Sequence, residues 1–87
     1  MPSEEKVGTV TDYFGKIGVA GIALADGALR VGDRVRIRGH TTDVTQTVES
    51  LQVDHRPVQL AERGSQVALK VAERVRKHDT VLRVTGD

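Results

Sequence analysis

Three arginines alternate along one predicted strand, at Arg34, Arg36 and Arg38. Alternate residues of a strand project from one face about 6.6 Å apart, close to the spacing of phosphates along a nucleic-acid strand. Because a guanidinium group can hydrogen-bond two phosphate oxygens, this arginine ladder is suited to a phosphodiester backbone. The alternative is that the arginines only keep one sheet face wet, while Asp43 and Glu49 on a neighbouring strand offset their charge.

The other chemically versatile residues do not form a recognisable site. His40, His55 and His78 stand apart, without the short ligand spacings of metal sites, which favours surface or turn positions. The glycines of Gly15–Gly21 could cradle a phosphate, but strand-like sequence follows where a helix N-terminus would be needed. No serine lies in a nucleophile elbow and no carboxylate pair stands out by spacing. We therefore expect no cofactor, no metal and no catalysis by this chain alone.

The aromatic residues limit single-strand binding by stacking. Tyr13 and Phe14 are the only aromatic side chains, and they are adjacent. On a strand, adjacent side chains face opposite ways, so one belongs to the core and at most one can stack on a base. Tyr13 is the candidate for stacking, and packing at the rim of the sheet is its alternative role.

Composition indicates one small soluble domain. The 87 residues contain 38% hydrophobic residues, mostly Val, Ile, Leu and Ala, which favours strands over helices. The absence of cysteine excludes disulfides and thiol chemistry, and no apolar run is long enough to cross a membrane. Thirteen basic against 12 acidic residues leave a net charge of +1, so anion binding depends on local placement. A cytoplasmic monomer that does not contact membranes is the expectation.

Hydrophobic alternation predicts a disordered tail over residues 1–6 and one domain over residues 7–84. Six short strands separated by turns favour an all-β fold, a small closed antiparallel β-barrel. Bulges are expected at Gly8, near Gly21 and at Glu49–Ser50 within one long strand from Thr42 to Asp54. An irregular loop with one helical turn is expected between His55 and Ser65.

Three segments carry a resemblance to a known family: GTVTDYFGKIGVAGIALADGALRVGDRVRIRG, then VESLQVDHRPVQLAERGSQVALKV, then KHDTVLRV. Together they resemble the β-barrel second domain of translation GTPases such as elongation factor Tu, from about Val7 to Val84. The resemblance implies a barrel of that type. It does not imply GTP hydrolysis, because no GxxxxGK[ST] phosphate loop is present.

The resemblance also implies an RNA site. In that family the second domain helps to hold the aminoacyl end of tRNA, and related barrels touch ribosomal RNA. The corresponding residues here form an end-recognition patch of Gln52, His55, Arg56 and Gln66. Gln52 and His55 stand where the family has a glutamate and an arginine, so aminoacyl-tRNA delivery is not supported.

The sequence therefore predicts a non-catalytic binding module. In the main interpretation it contacts tRNA or ribosomal RNA through the arginine ladder and the end-recognition patch. The alternative is a protein-interaction module that docks on a larger enzyme, since related barrels also occur as appendages of larger enzymes, including peptidases. RNA contact would be sensitive to salt, whereas an apolar protein contact would tolerate it.

Overall fold

The computed structural model describes residues 3–85, and every regular element in that range is a β-strand. Short turns rich in glycine and aspartate separate the strands, as expected for residues that tolerate tight backbone geometry. The ten strands are β1 (Ser3–Phe14), β2 (Val19–Ala23), β3 (Leu29–Arg30), β4 (Arg34–Arg38), β5 (Asp43–Thr47), β6 (Leu51–Val53), β7 (Arg56–Val58), β8 (Leu60–Ala61), β9 (Gln66–Lys70) and β10 (Thr80–Thr85).

Eight of these strands form one antiparallel sheet in the order β5-β4-β10-β1-β2-β9-β6-β7, while β3 and β8 form a separate pair. The long strand β1 lies at the centre and pairs with β10 on one side and β2 on the other. Residues 3–6, predicted as a disordered tail, instead lie in β1 and pair with β10. Met1 and Pro2 of that tail lie outside the described residues.

Two irregularities bend β1 around the core. The register with β10 shifts between Lys6 and Gly8, where a bulge was predicted. A Cβ atom on Gly8 would overlap the backbone carbonyl of Ala23, so only glycine allows the strands to approach so closely here. The register with β2 shifts between Val10 and Asp12, so the bulge predicted near Gly21 lies on the strand opposite that glycine.

The core is built from alternating aliphatic residues. Strands β4 and β9 each bury their second and fourth residues, as period-2 patterning predicts. Burying a side chain of this kind stabilises the fold by about 1.5–3 kcal/mol. The largest fully buried side chains form one cluster and include Ile22, Leu24, Leu29, Ile37, Leu51 and Leu69.

Within residues 3–85 neither sheet closes into a barrel, so the prediction of a closed barrel was wrong while the all-β antiparallel class is confirmed. Strands β5 and β7 are the two edges of the large sheet. Between β5 and the end of β9, one side chain makes the hydrogen bonds that a backbone ladder would otherwise make. The amide of Gln46 donates to the carbonyl of Lys70 and accepts from the backbone N–H of Ala72, both at 2.8 Å.

Two local predictions also differ from the structure. The expected single strand from Thr42 to Asp54 is divided into β5 and β6 by residues 48–50, rather than bulged within one strand. The expected helical turn after His55 is replaced by β7 and β8, and β8 pairs with β3. Val58 takes strand geometry in a hairpin with Leu51, whereas Leu60 and Ala61 do so because the distant residues Arg30 and Leu29 pair with them.

Candidate functional site

The central arginine of the ladder is occupied by internal ion pairs. Both Nε and Nη2 of Arg36 donate to the Asp43 carboxylate at 2.8 Å, and Nη1 donates to Oε2 of Glu4 at 2.8 Å. These hydrogen bonds raise the pKa of Arg36 further above its ordinary value. The hydrogen bond from Arg36 also lowers the pKa of the Asp43 carboxyl. Because its charge is balanced and all three nitrogens already donate to carboxylates, the Arg36 guanidinium group is poorly available to a phosphate.

Arg34 and Arg38 lie at the two ends of the same strand, and both are exposed. Their partners on β10 are Val84 and Thr80, and Leu82 faces Arg36 between them. Paired residues share a sheet face, so half-buried apolar side chains of β10 lie beside the arginines. At Arg36 the ion pairs support the alternative in which the arginines only keep the sheet face solvated. RNA contact by Arg34 and Arg38 stays a prediction.

Most of the end-recognition patch belongs to the β6–β7 hairpin. Gln52 pairs with Pro57, and the turn that follows places Asp54 and His55 at φ of 52° and 64°. Two consecutive central residues with positive φ are the signature of a type I′ hairpin turn, which normally favours Asn-Gly. The turn therefore presents His55 to solvent in a conformation that is costly for a residue with a side chain.

Gln66 lies on the adjacent strand β9, at the same end of the sheet as this turn. Gln52 pairs with Ala68, and Gln66 lies two residues before Ala68 in β9, so Gln66 shares the face of Gln52. Its side-chain amide donates to Oγ1 of Thr11 at 2.9 Å. The four predicted patch residues thus lie at one end of the sheet, but the exposed Arg56 pairs with Val53 and projects from the face opposite to that of Gln52 and Gln66.

The arginine ladder and the end-recognition patch lie on strands that are not adjacent in the sheet. Strands β10, β1, β2 and β9 lie between β4 and β6 in the sheet. At about 4.8 Å per strand this places the two groups about 24 Å apart along the curved sheet. This figure applies to the route through the four intervening strands. On the other side, Gln46 of β5 approaches the end of β9 through its hydrogen bonds with Lys70 and Ala72.

Sequence reasoning missed an exposed apolar tip on the β1–β2 turn. Phe14 is 52% exposed and Ile17 is 67% exposed, whereas Tyr13 packs partly buried against the core. The expectation that adjacent aromatics face opposite ways is therefore confirmed, but Phe14 rather than Tyr13 is the exposed one. The signal was available: Ile17 follows Gly15 and Lys16 in a turn, where a large aliphatic residue finds no core to enter.

Two further features bear on function. Among residues 3–85, no group of three His, Asp or Glu side chains is placed to hold a metal ion. In the same range, the structure contains no helix long and apolar enough to span a bilayer.

Two curated proteins are similar to this chain in sequence. No family model matches the sequence. An uncharacterised protease of Methanocaldococcus jannaschii is 36% identical over 77 residues, covering 87% of this chain and 19% of the protease. A collagenase of Porphyromonas gingivalis is 36% identical over 78 residues, covering 88% of this chain and 22% of the collagenase. The chain therefore spans about a fifth of the length of these curated relatives.

Solved structures show the same fold. Two crystal structures contain the C-terminal domain of a Geobacillus thermoleovorans protein described as a U32 peptidase. Their TM-scores to this chain are 0.82 and 0.84 at 22% identity, with coverage of 88% and 91% of this chain and 96% and 91% of that domain. The fold is the one seen in that C-terminal domain.

These comparisons overturn the resemblance to translation GTPases. The relatives are proteases, and the structural neighbours are U32 peptidase C-terminal domains, not elongation-factor domains. The motif that suggested the wrong family, LRVGDRVRI, encodes a strand, a tight turn at Gly32 with φ of 99°, and a second strand. Such a unit reports local β geometry, which unrelated functions share.

Proposed function

We propose that this chain is a non-catalytic module that docks on the catalytic region of a U32-type peptidase. The observation that carries the proposal is the extent of the match. Nearly the whole chain aligns with proteases, yet it corresponds to only about a fifth of their length. The remaining four-fifths of these relatives provide ample room for a catalytic region outside the part that this chain matches.

The apolar tip is the surface that best suits such a contact. Phe14 and Ile17 are two of the three large hydrophobic side chains exposed among the described residues. They lie close together, because the backbone N–H of Ile17 donates to the carbonyl of Phe14 at 3.3 Å. Buried aromatic and aliphatic anchors supply most of the binding energy of protein interfaces. A partner surface that covers this turn would remove both side chains from water.

The tip is also held rigidly enough to act as an anchor. On one side it continues directly into the β1–β2 ladder, in which Phe14 pairs with Val19. On the other side the carbonyl of Gly18 accepts a hydrogen bond from the backbone N–H of Val71 at 2.9 Å. A pre-ordered turn loses little conformational freedom when it docks, so more of the burial free energy remains for binding.

A chimera tests the proposal. This chain replaces the matching 78 residues of the P. gingivalis collagenase, and amide hydrogen exchange is compared with that of the isolated chain. We expect slower exchange for residues 14–18 in the chimera, because docking excludes water from the tip. A Phe14→Ser/Ile17→Ser variant of the chimera should lose this protection.

The matched control is Leu60→Ser, which removes the third exposed apolar side chain from another part of the surface. It should leave the protection of the tip unchanged. Identical exchange at residues 14–18 in the chimera and in the isolated chain would refute docking through the tip. Protection elsewhere but not at the tip would keep a docked domain and reject this surface.

A further inference from the structure

A second surface feature lies at the two-stranded sheet, away from the apolar tip. A cleft of about 200 Å³ is lined by Ala28, Leu29, Arg30, Asp33, Leu60 and Arg83. Arg30 and Leu60 are directly paired in the β3–β8 register, so their side chains project from the same face. Leu60 is 45% exposed. The cleft therefore combines guanidinium groups with a solvent-exposed apolar side chain.

The arginines retain hydrogen-bonding capacity. Nη2 of Arg83 donates to Oε2 of Glu5 at 2.9 Å, but its Nε is buried and has no partner among residues 3–85. Native structures pair nearly all such groups, so an unpaired buried N–H calls for a ligand, a water or an ion nearby. The Arg30 side chain makes no ion pair or hydrogen bond within the same range.

The two carboxylates near the cleft, Asp33 and Glu5, already accept hydrogen bonds from other groups of the protein. Oδ2 of Asp33 accepts the backbone N–H of Arg30 at 3.0 Å, which fixes the β3–β4 turn. Glu5 is held by Arg83. The guanidinium of Arg30 thus has no ion-pair partner among residues 3–85, although the negatively charged Asp33 lines the same cleft, and Arg83 is a partly neutralised second donor.

We propose that this cleft binds a carboxylate carried by an apolar residue, of which the C-terminal residue of a peptide is the specific form. A planar carboxylate matches the fork of a guanidinium group better than a spherical anion does. The cleft is smaller than the roughly 300–1,000 Å³ of ordinary ligand pockets, so it suits one residue rather than an extended ligand. Leu60 and Ala28 offer the side chain of that residue an apolar contact. The proposal does not depend on docking to a peptidase.

Nuclear magnetic resonance titration tests the proposal on the isolated chain. Three probes are compared: acetyl-Ala-Leu with a free carboxylate, its C-terminal amide, and acetyl-Glu-Leu-amide, whose only carboxylate is a side chain. We expect saturable shifts at Arg30, Leu60 and Arg83 with the free acid, at a Kd in the millimolar range. The amide should give none. Equal binding of acetyl-Glu-Leu-amide would overturn the C-terminal assignment and indicate an acidic side chain instead.

Variants separate binding from a structural effect. Arg30→Gln should weaken binding of the free acid about tenfold, because a charge-assisted hydrogen bond is lost. Arg74→Gln, at an exposed arginine outside the cleft, should leave binding unchanged.

Glu5→Gln supplies the second test, because it removes the carboxylate that holds Arg83. Binding should become about threefold tighter if Arg83 is a donor to the ligand, since the charge of Glu5 no longer competes. A merely structural role of the Glu5–Arg83 pair predicts weaker binding. Shifts that do not saturate, or that occur equally in the Arg30→Gln variant, would overturn the proposal.

Discussion

Replacing His78 with glycine should stabilise the protein. His78 has φ of 74° in the turn between Arg76 and Asp79, which is closed by a hydrogen bond from the backbone N–H of Asp79 to the carbonyl of Arg76 at 3.2 Å. A positive φ at the third residue is the signature of a type II turn, where glycine is preferred. The backbone N–H of His78 donates to the carbonyl of Val10, and glycine would keep that bond.

The expected gain follows from two opposing terms. A residue with a Cβ atom costs about 1–2 kcal/mol in the left-handed region. Replacing histidine with glycine removes this cost, but glycine loses more conformational entropy on folding, which destabilises the fold by about 0.5–1 kcal/mol. The difference between the two terms spans about 0–1.5 kcal/mol, and its central part, about 0.5–1 kcal/mol, is the expected gain from His78→Gly. For a domain of this size that corresponds to a rise in Tm of about 2–8 °C.

Thermal and urea unfolding followed by circular dichroism measure this change. The control is His40→Gly, at an exposed histidine that is not among the positive-φ residues. It should lower stability, because the entropic cost of glycine is then not offset. His78→Ala should give no gain, since alanine keeps the steric penalty. A His78→Gly protein no more stable than the unmodified protein would refute the strain argument.

Three further predictions concern the sheet. Gly8→Ala should destabilise the fold by about 2 kcal/mol or more, because its Cβ atom would meet the rigid backbone carbonyl of Ala23; urea midpoints measure this, and unchanged stability would contradict the close approach. Leu69→Ala should cost about 2–5 kcal/mol in the free energy of unfolding, since the side chain is fully buried; a loss below 1 kcal/mol would count against the core assignment. The pKa of Asp43 is lowered by its hydrogen bond with Arg36, so this interaction stabilises the fold above pH about 4. The stabilisation is lost as the pH falls through the lowered pKa and the carboxylate is protonated. Arg36→Gln should flatten this acid dependence, and identical pH profiles of stability would argue against the ion pair.

The strands could be predicted where a single period-2 pattern determines one buried face. Val35 and Ile37 in β4, and Val67 and Leu69 in β9, are buried as their alternation indicates. Closure of the sheet could not be predicted in this way. Closure depends on whether strands distant in sequence pair, and within residues 3–85 only the side chain of Gln46 on the edge strand β5 reaches the end of β9, through hydrogen bonds with Lys70 and Ala72.

The functional surfaces were harder to predict for the same reason. The neutralisation of Arg36 requires Glu4, which lies 32 residues away in the sequence. The two side chains meet because only one strand, β10, lies between β1 and β4 in the sheet. The sequence analysis offset the charge with Asp43, which is confirmed, and with Glu49, which lies beyond the end of β5 and makes no ion pair among residues 3–85; it placed Glu4 in a tail. Likewise, the distance between the arginine ladder and the end-recognition patch follows from strand order, which local patterns do not encode.

The most direct test of docking is scanning calorimetry of the chimera in which this chain replaces the matching part of the P. gingivalis collagenase. If the module docks through Phe14 and Ile17, its unfolding transition should lie at a higher temperature in the chimera than in the isolated chain. The Phe14→Ser/Ile17→Ser chimera should return that transition to the temperature of the correspondingly substituted isolated chain. A transition at the same temperature in the chimera and in isolation would contradict the account.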